Sequence, residues 1–294
     1  MKSDRSPKAG RNKKSELMTD NRNKTVTVFV VVALFILLVF APLPTPAQDS
    51  APESEIGDAG DLDEMASDSD PTKPVAFSFR EEFYDLKGDA WKNVAILRRD
   101  QLILEKEDLL GHRRGIILRA DLPMVSYHGG GSTRTGLGDI YGQALLIPRV
   151  KDNFLFAFGT GLVFPTATGD EFGRGKWIAS PAAVPVWYFP RRGFAYIKVQ
   201  DWVSFEGDSG RPDVHYLTVT PTFLWRLSKR YWMVLDGETY TDWETNNRTS
   251  YKGGVLIGRM FSRKAGLSLK AEIPFGEHRQ GDWTLKMVFF ITRY

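Results

Sequence analysis

The sequence has no cysteine, so disulfides, thiolate metal sites and a cysteine-linked lipid anchor are all excluded. It has only four histidines, His112, His128, His215 and His278, and no two sit at metal-ligand spacing. No apolar run reaches the ~20 residues that a spanning helix needs; the longest, Val28–Ala41, has fourteen. Between Gly136 and Trp177 two long apolar-and-glycine runs alternate with a tight polar turn and a glycine-rich loop, which reads as a β-hairpin rather than a helix. Residues 48–74 contain no aromatic side chain. Aromatics are instead 13% of the chain, with eight tryptophans, and glycine is frequent. That composition suits a β-protein that meets a bilayer interface.

The net charge of +3 hides a segregation into three blocks. Residues 1–25 carry eight Lys/Arg against three Asp/Glu, residues 26–74 nine acids against Lys73 alone, and residues 75–294 thirty bases against twenty-four acids. In the first block a basic region ending Arg22-Asn23-Lys24 precedes the apolar run. The prolines Pro42, Pro44 and Pro46 follow, with Thr45 and Ala47 at the −3 and −1 positions of a cleavage site. Residues 1–47 therefore read as a cleaved export signal, with a retained single-pass anchor as the alternative. Residues 48–74 are rich in Asp, Glu, Ser, Ala and Pro. They cannot bury enough apolar surface to offset their ordering entropy, so a disordered acidic linker is expected. A second reading makes this segment a tether or plug at the mouth of a basic barrel.

The body, 75–294, reads as an all-β, antiparallel up-and-down transmembrane barrel. Twelve candidate strands are predicted at 76–86, 93–105, 115–128, 136–149, 154–168, 176–189, 193–206, 214–227, 231–244, 250–261, 265–276 and 282–294. Several have 12–15 residues, longer than the strands of soluble sheets and long enough to cross a bilayer at a tilt. Their connections alternate in character. Short basic or polar turns (Lys151-Asp152-Asn153, Pro190-Arg191-Arg192, Ser228-Lys229-Arg230, Ser262-Arg263-Lys264) alternate with longer, glycine-rich or polar loops at 129–135, 169–175, 207–213, 245–249 and 277–281. Such asymmetry is characteristic of outer-membrane barrels, and an even strand count places both termini in the periplasm.

Alternation within strands assigns faces. Leu118, Ala120, Leu122 and Met124 oppose Arg119 and Asp121; Leu267, Leu269, Ala271 and Ile273 oppose Lys270 and Glu272. A charge on the lipid face near the midplane costs ~2–4 kcal/mol for Arg or Lys. The charged faces should therefore line the lumen, which nominates Arg119, Asp121, Asp139, Lys198, Arg226, Asp236, Glu238, Lys270 and Glu272. Asp201 breaks this pattern, falling with Ile197, Val199 and Val203, and needs a bulge to turn inward. Trp187, Trp225 and Trp232 beside the short turns, and Trp177, Trp243 and Trp283 beside the longer loops, read as two interfacial girdles.

The stretch from Pro74 onward resembles the bacterial outer-membrane transporter family of the "MetA-pathway of phenol degradation" type. The resemblance is carried by Gly136–Asp139 (GLGD), by the glycine strand leading to Pro165-Thr166-Ala167-Thr168, and by Gly173-Arg174-Gly175-Lys176-Trp177. It continues through Trp202-Val203-Ser204-Phe205, Gly207-Asp208, Arg211-Pro212-Asp213 and Tyr240-Thr241-Asp242-Trp243-Glu244. The resemblance implies a barrel that passes hydrophobic or aromatic compounds.

The expected function is a passive channel or facilitator for small solutes. Its partners would be outer-membrane lipid, a small-molecule solute and the barrel-assembly machinery, with no cofactor or metal. A surface-binding or structural barrel is one alternative and a barrel hydrolase another. Asp213 and His215 could share a rim for hydrolysis, but no nucleophile is identifiable, with Ser204 and Ser209 merely nearby. Bases are dispersed rather than gathered on an aromatic platform, which argues against nucleic acid. Twelve strands lie between barrels whose interior fills with side chains (~8) and those with aqueous channels (~16–18), so the lumen should be narrow or partly blocked.

Overall fold

The computed structural model describes residues 69–107, 113–148 and 153–292, all within the second of two compact units, Ser54–Tyr294. The export signal and most of the acidic linker lie outside the described residues, as do Arg293 and Tyr294.

The strands are β1 (Val75–Asp85), β2 (Trp91–Glu107), β3 (Arg113–Gly129), β4 (Ser132–Leu137), β5 (Ile140–Ile147), β6 (Phe154–Phe164), β7 (Lys176–Phe189), β8 (Gly193–Gly207), β9 (His215–Arg226), β10 (Tyr231–Asp242), β11 (Arg248–Met260), β12 (Ala265–Phe275) and β13 (Trp283–Thr292). Each pairs antiparallel with its neighbours, and β1 pairs with both β2 and β13, so the sheet closes on itself. Closure leaves no free edge to template aggregation.

Two expectations about the fourth strand are corrected. Residues 129–135 do not form a long loop: Gly130 and Gly131 both adopt positive φ, +61° and +80°, giving a two-residue hairpin turn. A turn of that hand matches strand twist, so pairing continues to Gly129 on one side and resumes at Ser132 on the other. The strand predicted at 136–149 is instead the lower part of a longer one, broken at Gly138-Asp139 into β4 and β5, which both pair with β3. The barrel is thus twelve-stranded, with thirteen elements.

The hydropathy of the wall is inverted relative to a soluble domain. Leu118, Leu122, Met124, Phe156, Phe158, Leu235, Val255, Ile257 and Ile273 are exposed on the outer face. Glu82, Asp100, Asp121, Gln200 and Glu272 are buried inside. An apolar exterior this extensive is tolerated only when something other than water covers it.

Inside, the two ends differ. At the end carrying the short turns, Ile117, Leu145, Ile147, Val184, Val186, Phe194, Leu224, Trp232, Val234 and Phe290 form one packed apolar cluster. Towards the loop end, polar and charged side chains surround open space.

Asp201 remains on the outer face. A register shift between β7 and β8 does occur, with Trp177 opposite Glu206 and Ile178 opposite Ser204, but it falls at Phe205, too far along to turn Asp201 inward. Asp201 is tolerated there because it sits near the loop end, where His215 Nε2 lies 3.5 Å from its carboxylate.

Candidate functional site: the lumen

Strand alternation delivers charges to the lumen from both sides of the β1–β13 closure. On β2 and β3, Arg98 faces Asp121 and Asp100 faces Arg119 in direct register. Both pairs are bidentate: Arg98 donates to Asp121 at 2.6 Å twice, and Arg119 to Asp100 at 2.9 and 2.8 Å. Bidentate geometry suits a planar guanidinium and fixes both side chains against the wall. On β1, Arg80 lies 2.8 Å from Glu82, which also accepts from Tyr84 Oη.

The second cluster centres on Glu272 of β12, which is 2% exposed. Its carboxylate lies 2.6 Å from Lys270, 3.0 Å from Lys286 and 3.7 Å from Lys252. Asp236 holds Lys270 at 2.5 Å and Glu238 holds Lys252 at 3.1 Å. Buried ions must be compensated locally, and both clusters meet that condition with cross-strand partners.

Within this belt is a cavity of about 610 Å³ lined by seven bases and six acids. A second space, about 750 Å³, opens at the loop end; Pro123, Asp139, Val163 and Trp202 line both. An aromatic arc runs between them. Trp202 stacks on Tyr216 with centroids 5.7 Å apart and tilts against Tyr141 at 5.6 Å, while Tyr216 lies 4.6 Å from Tyr240. Gln200 donates to Tyr141 Oη at 3.1 Å.

The motifs behind the family resemblance meet at this loop end. Asp139, in the β4–β5 break, accepts from the backbone N–H of Ala167 at 3.0 Å and of Arg174 at 2.6 Å. Thr168 N–H donates to Leu137 O, and Ile140 N–H to Thr166 Oγ1. Arg211 donates to Gly173 O at 2.6 Å and Asp170 O at 2.8 Å. Lys176 reaches Asp213 at 2.8 Å. Segments distant in sequence thus form one knot, which folds loop 165–175 over the broken strand and places Phe172 against Val94, Ile96 and Val125 inside the barrel.

Asp139 is the pin of that knot. Asp139→Ala leaves two backbone donors without their acceptor, a loss of ~1–3 kcal/mol each when buried and less at this half-exposed site. We expect tryptic cleavage after Arg174 in the folded barrel to accelerate roughly ten-fold, a 1.4 kcal/mol change in loop opening. An unchanged cleavage rate would show that Asp139 does not hold the loop.

Of the residues nominated from sequence, Arg119, Asp121, Asp139, Lys198, Asp236, Glu238, Lys270 and Glu272 line the cavity. Arg226 does not. It shares the inward face of β9 but lies at the turn end, where its Nε donates to Ser228 O. Trp232 is not a girdle residue: it is fully buried inside the barrel, because it shares the face of Val234 and Asp236. Trp177, Trp187, Trp225 and Trp283 lie on the outward face of their strands, and Trp243, 41% exposed, follows β10 beside His215. Trp91 joins the outer aromatics unforeseen, stacked between Phe83 and His128.

Sequence reasoning also missed Arg80, Glu82, Arg98, Asp100, Lys252 and Lys286, although each lies at i±2 from another inward polar position. The triad considered for hydrolysis is not assembled. Asp213 is taken by Lys176, His215 faces Asp201 outside the barrel, and Ser204 Oγ accepts from Val214 N–H.

The end of the predicted linker enters the same space. Ser69 and Pro71 line the cavity from the turn end. Asp70, 1% exposed, accepts from Thr72 N–H at 2.9 Å and Thr72 Oγ1 at 2.6 Å. Thr72 lies 3.3 Å from Tyr188, and Val75 N–H donates to Asp100 at 3.2 Å. Residues 69–74 are therefore a turn folded across the lumen floor.

No family model matches the chain, and no curated protein does. Among solved structures it is similar to an outer membrane channel from Pseudomonas putida F1, with a TM-score of 0.60 and 12% identity over 74% of this chain and 96% of that one. It is also similar to the KdgM porin in complex with disordered oligogalacturonate, with a TM-score of 0.50 and 9% identity over 74% of this chain and 99% of that one. At these identities the shared property is the fold, and this chain has the fold of outer-membrane β-barrels.

Proposed function

We propose that the chain is an outer-membrane facilitator for small solutes, closed at rest and resembling in its loop-end motifs the transporters of the "MetA-pathway of phenol degradation" type. The loops face outward, both chain termini of the barrel lie on the periplasmic side, and assembly runs through the barrel-assembly machinery. The observation that carries this reading is the order of spaces along the axis: an open vestibule, a polar chamber, then a floor made of the Ser69–Pro74 turn over packed apolar side chains. A structural barrel has no need of a chamber, and a wide porin has no floor. The aromatic arc beside the chamber suits hydrophobic or aromatic solutes, which lose little on leaving water for such a wall.

The test is solute uptake into proteoliposomes. The full chain should pass small solutes slowly. A variant with Ser69–Pro74 replaced by a Gly/Ser run should pass them at least ~10-fold faster, since the Thr72–Tyr188 bond that anchors the turn and the Thr72–Asp70 bonds that shape it are each worth on the order of 1 kcal/mol. If neither protein passes any solute while showing the heat-modifiable migration of a folded barrel, the facilitator reading is wrong.

A further inference from the structure

Nearly every charge of the lumen belt is matched. Asp121 and Asp100 are closed on arginines, Asp236 and Glu238 on lysines, and Glu272 on three ammonium groups. Lys198 is different. It lines the chamber from β8 and makes no salt bridge or hydrogen bond with any described residue. Glu238, whose field reaches it, is already held by Lys252. Counting Asp100, on which Arg119 closes, acids and bases are equal in number, but Asp139 is held by the backbone N–H groups of Ala167 and Arg174, so Lys198 is the lining base left without a carboxylate of its own among the described residues.

The same inward row of β8 continues through Gln200 to Trp202. At ~3.3 Å per residue, Lys198 and Trp202 sit about 13 Å apart along the wall, a gap that a lysine side chain and one flat ring span together. Trp202 is fixed for such a ring by Tyr216 behind it and Tyr141 beside it, with Tyr141 anchored by Gln200 and Ser180. A volume of about 610 Å³ is ample for a one-ring compound.

We propose that the chamber binds a small monoanion bearing a flat ring, its carboxylate on Lys198 Nζ and its ring against Trp202 and Tyr141. This rests on the lumen being a solute path, but it adds a charge requirement that a purely hydrophobic solute does not meet. The lone cation selects for charge. The aromatic wall rejects acetate-like anions, and the paired belt repels a second negative charge at its acids. Desolvated ammonium–carboxylate contacts are stronger than neutral hydrogen bonds, so the anion should be favoured over its uncharged analogue.

The experiment is titration calorimetry on the full chain in detergent, with benzoate, benzyl alcohol and acetate as probes. Benzoate should bind saturably and at least ~10-fold more tightly than either, the ratio expected of one charge-assisted contact plus ring packing. Lys198→Met should collapse the preference for benzoate over benzyl alcohol, and Lys198→Arg should keep it. Heat-modifiable migration verifies that each variant is folded. The proposal is overturned if no probe binds, if benzoate binds no better than benzyl alcohol, or if folded Lys198→Met discriminates as the wild type does. A chain that binds benzoate yet passes no solute refutes the facilitator and leaves this site standing. One that passes solutes without preferring benzoate refutes only the site.

Discussion

Replacing Glu272 by leucine should destabilise the folded barrel by roughly 3–5 kcal/mol, the cost typical of removing one partner from a buried ion cluster. The register explains the size. Lys270 of β12 and Lys286 of β13 are directly opposite each other, an arrangement that is unfavourable by itself. Glu272 reaches both, one oxygen to each, and its second oxygen also lies within 3.7 Å of Lys252. After the substitution Lys270 keeps Asp236 and Lys252 keeps Glu238, while Lys286 loses the only salt bridge it makes with a described residue. Glu272→Gln should behave almost as badly, because it keeps shape and loses charge. The double variant Glu272→Leu/Lys286→Met should recover most of the loss, since an apolar pair of similar volume avoids the stranded ammonium. For contrast, Arg279 and Asp282, about half exposed and 2.9 Å apart in an outer loop, should be worth no more than ~1 kcal/mol. Urea unfolding in lipid vesicles, followed by the folded band on unheated gels, measures all four. A Glu272→Leu midpoint equal to that of an Arg279→Ala variant would show that the cluster contributes no more than a surface pair.

The barrel was legible in the sequence because the bilayer imposes two simple rules. Strands must be long, and their outward faces must be apolar, so Leu118, Leu122 and Met124 declare one face of β3 and Arg119 and Asp121 the other. The β4–β5 break was hidden for a local reason. Gly130-Gly131 and Gly138-Asp139 are both glycine punctuation, and only pairing distinguishes a hairpin turn from an interrupted strand. The lumen's ion pairs were half legible: alternation announces that Lys270 and Glu272 point inward, but no one-dimensional pattern says that Lys252 and Lys286 converge on the same carboxylate. The loop-end knot was visible only as scattered motifs. That GLGD, Ala167, Arg174 and Arg211 belong together depends on backbone hydrogen bonds between segments ~30–70 residues apart, a pairing that depends on the closed wall and leaves no local trace. Asp201 looked like a misplaced lumen charge because alternation carries no height. Near the loop end an outward carboxylate beside a histidine costs far less than at the midplane.

Trp232 gives the second large effect. Its place beside a basic turn suggested a girdle, yet Asp236 and Glu238 share its face, and a single strand cannot send them inward while sending Trp232 out. Its indole packs edge-on to Phe290, with centroids 6.0 Å apart, and lies flat over Gly258, where an added Cβ would come within 2.1 Å of the ring. Neither ring is exposed at all, so no water path runs past them at the turn end. Trp232→Ala should therefore do two things at once. It should cost about 3–5 kcal/mol, as large aromatic truncations in packed cores do, and it should open a steady ion leak with Ser69–Pro74 still in place. Gly258→Val keeps the indole but pushes it off the wall, so it should leak as well while losing stability to overpacking. Planar-bilayer recordings decide between two closures. If both variants conduct, the aromatic pair and the Ser69–Pro74 turn close different parts of one cross-section, and opening either suffices. If folded Trp232→Ala is as silent as the wild type, the turn alone seals the floor, and the rings beneath it serve stability rather than closure.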